Sequence, residues 1–214
     1  MNDSYITISS RSCEEHTINK SRFIGYAAPC SSESDALKFL NEIREEHKNA
    51  THHCYAYIIG TNQSITRYSD NGEPSGTAGL PILDVLQNRK IVNACVVVVR
   101  YFGGVLLGTG GLVRAYTQSS QSAVLSAGIA QMEMTSDESC ELPYSVWDKT
   151  RYACERLPVR IENLTFGSSV CFHLLVRTKD REQNIRTLME TSGRKLIIHS
   201  SSKEFALWKM DQPE

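Results

Sequence analysis

Between Arg100 and Tyr116 the chain reads RYFGGVLLGTGGLVRAY, with five glycines set between two arginines. That combination suits anion chemistry. A guanidinium forms paired, charge-assisted hydrogen bonds to phosphate, and glycine lets a ligand approach bare backbone. The first amides of a helix lack acceptors of their own, so a helix opening draws negative charge. A second stretch, DNGEPSGTAGL at 70–80, repeats the grammar, and both contain Gly-Thr-x-Gly-Leu, at 76–80 and 108–112. The sequence therefore predicts an anion-binding cleft in which Arg100 and Arg114 pair with phosphates. Gly108, Thr109, Gly110 and Gly111 cradle the anion from one side; Gly76, Thr77 and Gly79 cradle it from the other. Glu73 and Ser75 belong to a supporting turn, Gly103 precedes the second opening, and Arg67 is a further cation. Gly72 and Gly104 supply turn geometry that side chains forbid, and Ser75 and Thr109 are the expected N-caps. The competing explanation is packing. Tight strand-to-helix connections need small residues, and Arg100 has Asp70 or Glu73 with which to pair internally. Tyr101 and Phe102 offer faces for stacking unpaired RNA bases, although each alone fits packing at a strand end. The repetition and the two arginines favour the site.

The elements that would position these residues follow from periodicity. Residues 93–99 are a valine-rich run of strand length, and Leu112, Ala115, Tyr116, Ser119, Ala123 and Ala127 recur at helical spacing. The glycines fall where that strand crosses to that helix. Upstream, 5–8 and 22–26 read as strands, and Ser32 or Ser34 caps a helix whose Ala36, Leu37, Leu40 and Ile43 share a face. Residues 54–59 and 65–68 read as paired strands. Together these make an N-terminal α/β domain over 1–128. From 129 the order is a strand (129–142), a helix (143–156), a hairpin through Gly167-Ser168, a helix capped by Asp180 and stopped by Gly193, and a closing strand (195–199). That β-α-β-β-α-β order is ferredoxin-like, giving a C-terminal domain over 129–214.

Bulk properties narrow the function classes. The 214 residues have room for two modest cores, and a formal net charge of −1 excludes a general polyanion coat. Any nucleic-acid contact comes from a local patch and weakens with salt. No apolar run approaches the ~20 residues of a membrane span, and residues 1–5 (MNDSY) lack the regions of a secretion signal. Seven cysteines without a CxxC pair read as reduced thiols, so the cytoplasm is the expected compartment.

Other chemistries are weighed on the same residues. A nucleotide- or phosphate-ester-binding enzyme is the alternative, because the 104–112 loop superficially resembles the glycine-rich loop of small-molecule kinases. The loop lacks the GK[ST] ending of a Walker A motif, and Asp84 is expected on a helix surface rather than on Mg²⁺. His47, His52, His53 and Cys54 use a metal-ligand vocabulary, but His53 and Cys54 are adjacent on a strand and point to opposite faces. Cys54 as a nucleophile needs a base and a lowered pKa; a buried small residue is its default. Glu73 is an isolated carboxylate, better suited to pairing an arginine than to acting as a general base. No metal or cofactor is expected.

Residues 51–57 (THHCYAY), the 70–79 turn and the 100–116 block together resemble the IMPACT family in its bacterial, YigZ-type form, and Ser21-Arg22-Phe23-Ile24 resembles that family's opening. The resemblance spans 18–128, and the C-terminal domain has the matching length and pattern. It implies an α+β protein. The N-terminal domain would be a two-layer α/β fold similar to the second domain of the fifth small-subunit ribosomal protein. The C-terminal domain would be ferredoxin-like, similar to the last domain of elongation factor G. In that elongation factor the same pair of folds contacts ribosomal and transfer RNA. Eukaryotic relatives act in translational control through protein partners, using an extra N-terminal domain for which this chain has no room. The resemblance thus implies a translation-associated factor that binds RNA or the ribosome, with a protein partner as a further option, rather than an enzyme.

Overall fold

The computed structural model describes residues 3–209, which form two β-sheets and five α-helices. They divide into two compact units, one running to Gln131 and taking in the chain from Leu207, the other Met132–Ala206. No helix among the described residues is long and apolar enough to cross a membrane.

In the first unit, β1 (Ser4–Ile8) makes a parallel bridge from Ile6 to Ile91. The strands β2 (Ser12–Ile18), β3 (Ser21–Pro29), β4 (His52–Ile59), β5 (Ile65–Ser69) and β6 (Ala94–Tyr101) form an antiparallel sheet in the order β2-β3-β6-β4-β5. The valine run is its centre. Val96 and Val98 face α2 (Gly79–Asn88) and α3 (Gly108–Ala127), while Cys95, Val97 and Val99 face α1 (Glu33–Glu46). Helices therefore cover both faces, and the unit has three layers where the family resemblance implies two. The continuous apolar run carries the reason: a strand buried on both sides has no polar face to alternate with. Ser32 is the cap of α1, in a reciprocal pair with Asp35: its Oγ accepts the Asp35 amide at 3.1 Å and its own amide donates to Asp35 Oδ2 at 2.9 Å.

The second unit follows the expected element order: β7 (Ile129–Leu142), α4 (Tyr144–Cys154), β8 (Val159–Phe166), β9 (Val170–Arg177), α5 (Arg181–Thr191) and β10 (Ile197–Lys209). β9 lies between β7 and β8, and β10 also pairs with β7. Leu142, Trp147, Phe172, Leu174 and Leu188 fill the core under the two helices. Asp180 precedes α5 but its side chain makes no capping bond, whereas Gly193, at φ +64°, ends the helix as its position predicts. β10 runs ten residues past the expected end at 199. Residues 200–204 are exposed and polar, so their sequence carries no apolar alternation; pairing with β7 keeps them extended.

Candidate functional site

The two Gly-Thr-x-Gly-Leu openings lie on the same side of the sheet, and the structure treats them differently. At the first, helix α2 starts at Gly79, three residues later than the motif, and its own cap position, Ala78, supplies no side-chain bond. The acceptor comes from the end of β5. Asp70 Oδ1 accepts the amides of Ala78 at 3.0 Å and Gly79 at 2.8 Å, and Oδ2 accepts Gly76 at 2.9 Å. One carboxylate thus occupies the amides that a ligand anion would need. Asn71 and Gly72 follow with φ of +44° and +87°, turning the chain back. Asn71 Oδ1 accepts the His53 amide at 2.7 Å, and its carbonyl lies 2.8 Å from His52 Nδ1. Gly79 is a packing glycine: a Cβ there would meet the Ser69 backbone at 2.7 Å.

This turn carries Glu73 into a buried polar cluster. Arg100 Nη1 donates to Glu73 Oε1 at 2.6 Å, with the two side chains only 5% and 3% exposed. The Tyr116 hydroxyl donates to the same oxygen at 2.8 Å, and Arg100 Nη2 reaches Ser21 Oγ at 3.3 Å. His52 Nε2 stands 3.8 Å from Glu73 Oε1. The Arg100 guanidinium also lies over the rings of Phe23 and Phe102, at 5.3 and 5.4 Å. Cys54 donates to the Asp70 carbonyl at 3.0 Å and to the Tyr116 hydroxyl at 3.4 Å. Burial pushes the Cys54 thiol up to about 12, which keeps it protonated and removes it as a nucleophile. The cluster joins β3, β4, β6, α3 and the 70–75 turn, and its charges compensate one another.

The second opening is bare. Helix α3 starts at Gly108 after Leu107, and no side chain caps it. Its first-turn amides lack intrahelical acceptors by geometry, and among the described residues no side chain caps them. Gly108 needs glycine for its φ of +71°, but Gly110 does not have a positive φ, and a Cβ on it would meet nothing within 4 Å. The opening borders a cleft of about 430 Å³, lined by His52, Glu73, Arg100, Phe102, Leu107 and Thr109 among others. Phe102 is 46% exposed and Leu106 85% exposed at its rim. Arg114, nearly two turns into α3, is exposed with no ion pair to any described residue. Because helical side chains lean toward the N-terminus, Arg114 shares the face of Gly110 and Gly111.

The sequence profile described as the Impact N-terminal domain matches residues 19–124, the span that holds both openings, the buried cluster and the cleft. The IMPACT family member of Haemophilus influenzae is 38% identical over 197 residues, covering 91% of this chain and 95% of that protein. The chain belongs to the IMPACT family. The family member YvyE of Bacillus subtilis is 37% identical over 177 residues, covering 83% of this chain and 82% of its own. A solved structure described as a hypothetical protein aligns over 100% of both chains, with a TM-score of 0.61 and 26% identity.

Within this IMPACT family member, several sequence expectations need correction. Arg100 is held in the Glu73 ion pair, the internal alternative, although it still lines the cleft. Gly76 and Gly79 do not offer free amides, because Asp70 takes them. Ser75 is exposed and forms no cap, while Thr77 turns inward, its Oγ1 donating to the Pro74 carbonyl at 2.7 Å. Thr109 lies inside the first turn of α3 rather than capping it. Arg67 sits on the α1 face of the sheet, 4.0 Å from Glu33, away from the cleft. Gly103 is a packing glycine, since a Cβ would stand 2.0 Å from the Lys20 carbonyl oxygen, whereas Gly104, at φ +80°, borders open space. Tyr101 packs toward α1, its hydroxyl 2.9 Å from His47 Nδ1, but Phe102 is exposed rather than packed at the strand end. His52 lines the cleft; His53 points to the opposite face, its Nε2 3.0 Å from the His47 carbonyl. Asp84 is exposed on α2. Among the described residues no three His, Cys, Asp or Glu side chains converge as a metal site. Sequence reasoning named Asp70 and Tyr116 but missed the capping by Asp70 and the Tyr116 bond to Glu73. The Asp-Asn-Gly turn six residues ahead of Gly76 was the available sign of the first, while Tyr116 reads as an ordinary core residue because its hydroxyl has no sequence signature.

Proposed function

We propose that this protein is a cytoplasmic, translation-associated regulatory factor that contacts ribosomal or transfer RNA through the opening of α3. The observation that carries the reading is the uncapped first turn at Gly108 to Gly110, where Thr109 is the one residue with a side chain, set beside an exposed cation and an exposed aromatic ring. A phosphate placed on those amides lies within reach of Arg114, and an unpaired base finds a stacking face in Phe102. The family resemblance supports the same reading. It implies an N-terminal unit similar to the second domain of the fifth small-subunit ribosomal protein. The β-α-β-β-α-β order of the second unit fits a ferredoxin-like domain similar to the last domain of elongation factor G. A net charge of −1 makes the contact local and salt-sensitive.

The test is co-sedimentation with ribosomes, together with transfer RNA binding, for wild type, Arg114→Ala and Phe102→Ala at low and moderate salt. Wild type is expected to bind at low salt, with both variants weakened and their melting temperatures unchanged. Equal binding by all three proteins rejects the assigned surface. Absence of RNA binding, with stabilisation by ATP and Mg²⁺, turns the cleft into a nucleotide site instead.

A further inference from the structure

The cleft beside α3 has a polar end that the RNA contact proposed above leaves unused. His52 on β4 is paired directly opposite Arg100 on β6, and both side chains line the cleft. His52 Nδ1 lies 2.8 Å from the Asn71 carbonyl oxygen, which can only accept. That contact puts the proton of the neutral ring on Nδ1 and leaves Nε2 with a bare lone pair. Its charged neighbour, Glu73 Oε1 at 3.8 Å, is an acceptor too, and already accepts from Arg100 and Tyr116. Arg100 lacks a partner in the opposite sense: its Nε–H is buried without an acceptor among the described residues. One end of the cleft thus holds an unmet acceptor beside an unmet donor. Phe102, Leu106, Leu107 and Leu112 make much of the remainder apolar.

We propose that this cleft is a nucleobase slot selective for an exocyclic amino group, taking adenine or cytosine from single-stranded RNA. The inference rests on the RNA-binding reading of the α3 opening and adds base choice to it. The phosphate sits on the α3 amides and the ring lies against Phe102, so the pairing edge of the base turns to the polar end. The amino group of adenine or cytosine donates to His52 Nε2, drawn by the Glu73 carboxylate behind it. The ring nitrogen next to that amino group, an acceptor in both bases, meets the Arg100 Nε–H. Uracil and guanine carry a carbonyl where the amino group would be and an N–H at the ring nitrogen. They set lone pair against lone pair at His52 and hydrogen against hydrogen at Arg100, which leaves buried polar groups unpaired. The cleft volume of about 430 Å³ falls in the range of small-molecule sites, ~300–1,000 Å³.

The test measures the affinity of the full-length protein for short fluorescent RNA homopolymers at low salt, in two matched pairs. Adenine against unsubstituted purine removes the amino group and keeps the ring. Cytosine against uracil changes the same edge on the smaller ring. Wild type is expected to favour adenine over purine, and cytosine over uracil, by about tenfold each. His52→Ala is expected to weaken adenine and cytosine binding while purine and uracil stay at or above their wild-type affinities, so both ratios fall toward one. Wild-type ratios of one, with the oligomers still bound, overturn the slot and leave the RNA contact standing. Failure of wild type to bind any oligomer or transfer RNA overturns both. Undiminished ratios in folded His52→Ala overturn the role given to His52. The wild-type ratios decide on the slot even if the variant fails to fold.

Discussion

Two helix openings share the pattern Gly-Thr-x-Gly-Leu, and among the described residues a carboxylate caps only one of them. At α2 the chain brings its own carboxylate: Asp70 holds Gly76, Ala78 and Gly79, and Gly79 is small because the Ser69 backbone stands against it. At α3 no side chain among the described residues caps the first turn, and Gly110 is small although neither its backbone angle nor its surroundings require it. The same split runs through the arginines. Arg100 is consumed by Glu73 in the core; Arg114 stands exposed on α3. A shared local pattern therefore serves packing and internal capping at one site and is left without a side-chain cap at the other. The difference lies in what the rest of the chain delivers to each opening.

The largest effect is expected at the buried pair. Arg100→Ala strips the partner from an enclosed carboxylate and should cost about 3–5 kcal/mol, read as a fall in the urea midpoint. A loss below 1 kcal/mol would mean that Glu73 is not held as a buried charge. Asp70→Ala comes next. It leaves three amides without their acceptor, and a loss of roughly 2–4 kcal/mol is expected, with Asp70→Asn recovering part of it. Should Asp70→Ala melt like wild type, the two openings would not differ in the way described.

The glycines sharpen the contrast further. Gly79→Ala forces a methyl into the Ser69 backbone and should destabilise by about 1–3 kcal/mol. Gly110→Ala adds a methyl to open space inside a helix and should stabilise by up to ~1 kcal/mol, while hindering approach to the amides. Paired thermal melts of the two variants check the opposite signs. The smallest stability effect belongs to Arg114→Ala, within about 0.5 kcal/mol of wild type, because its guanidinium makes no ion pair to lose.

Much of this was legible in the residues. The valine run announced a central strand, the helical spacing from Leu112 to Ala127 announced α3, and the element order of the second unit followed from alternation and turn residues. The third layer was signalled only by the unbroken apolar run of β6, because the apolar face of α1 shows that it packs on something without showing which face of the sheet. The fate of Arg100 depended on register: β6 has to place it beside the 70–75 turn, and sequence could name Glu73 only as one of two partners. The capping by Asp70 escaped notice because it comes from outside the helix, across a turn whose positive φ angles at Asn71 and Gly72 fold it back. The polar end of β10 escaped because pairing, not side-chain pattern, makes it a strand.

The account rests on the bare opening of α3 being where phosphate is held. Its most direct test is the affinity of transfer RNA for wild type, Arg114→Ala and Arg67→Ala, measured across a salt series. For Arg114→Ala the account predicts weaker binding and a log K against log salt slope shallower by about one, with Arg67→Ala matching wild type. Identical affinities and slopes for wild type and Arg114→Ala would contradict it.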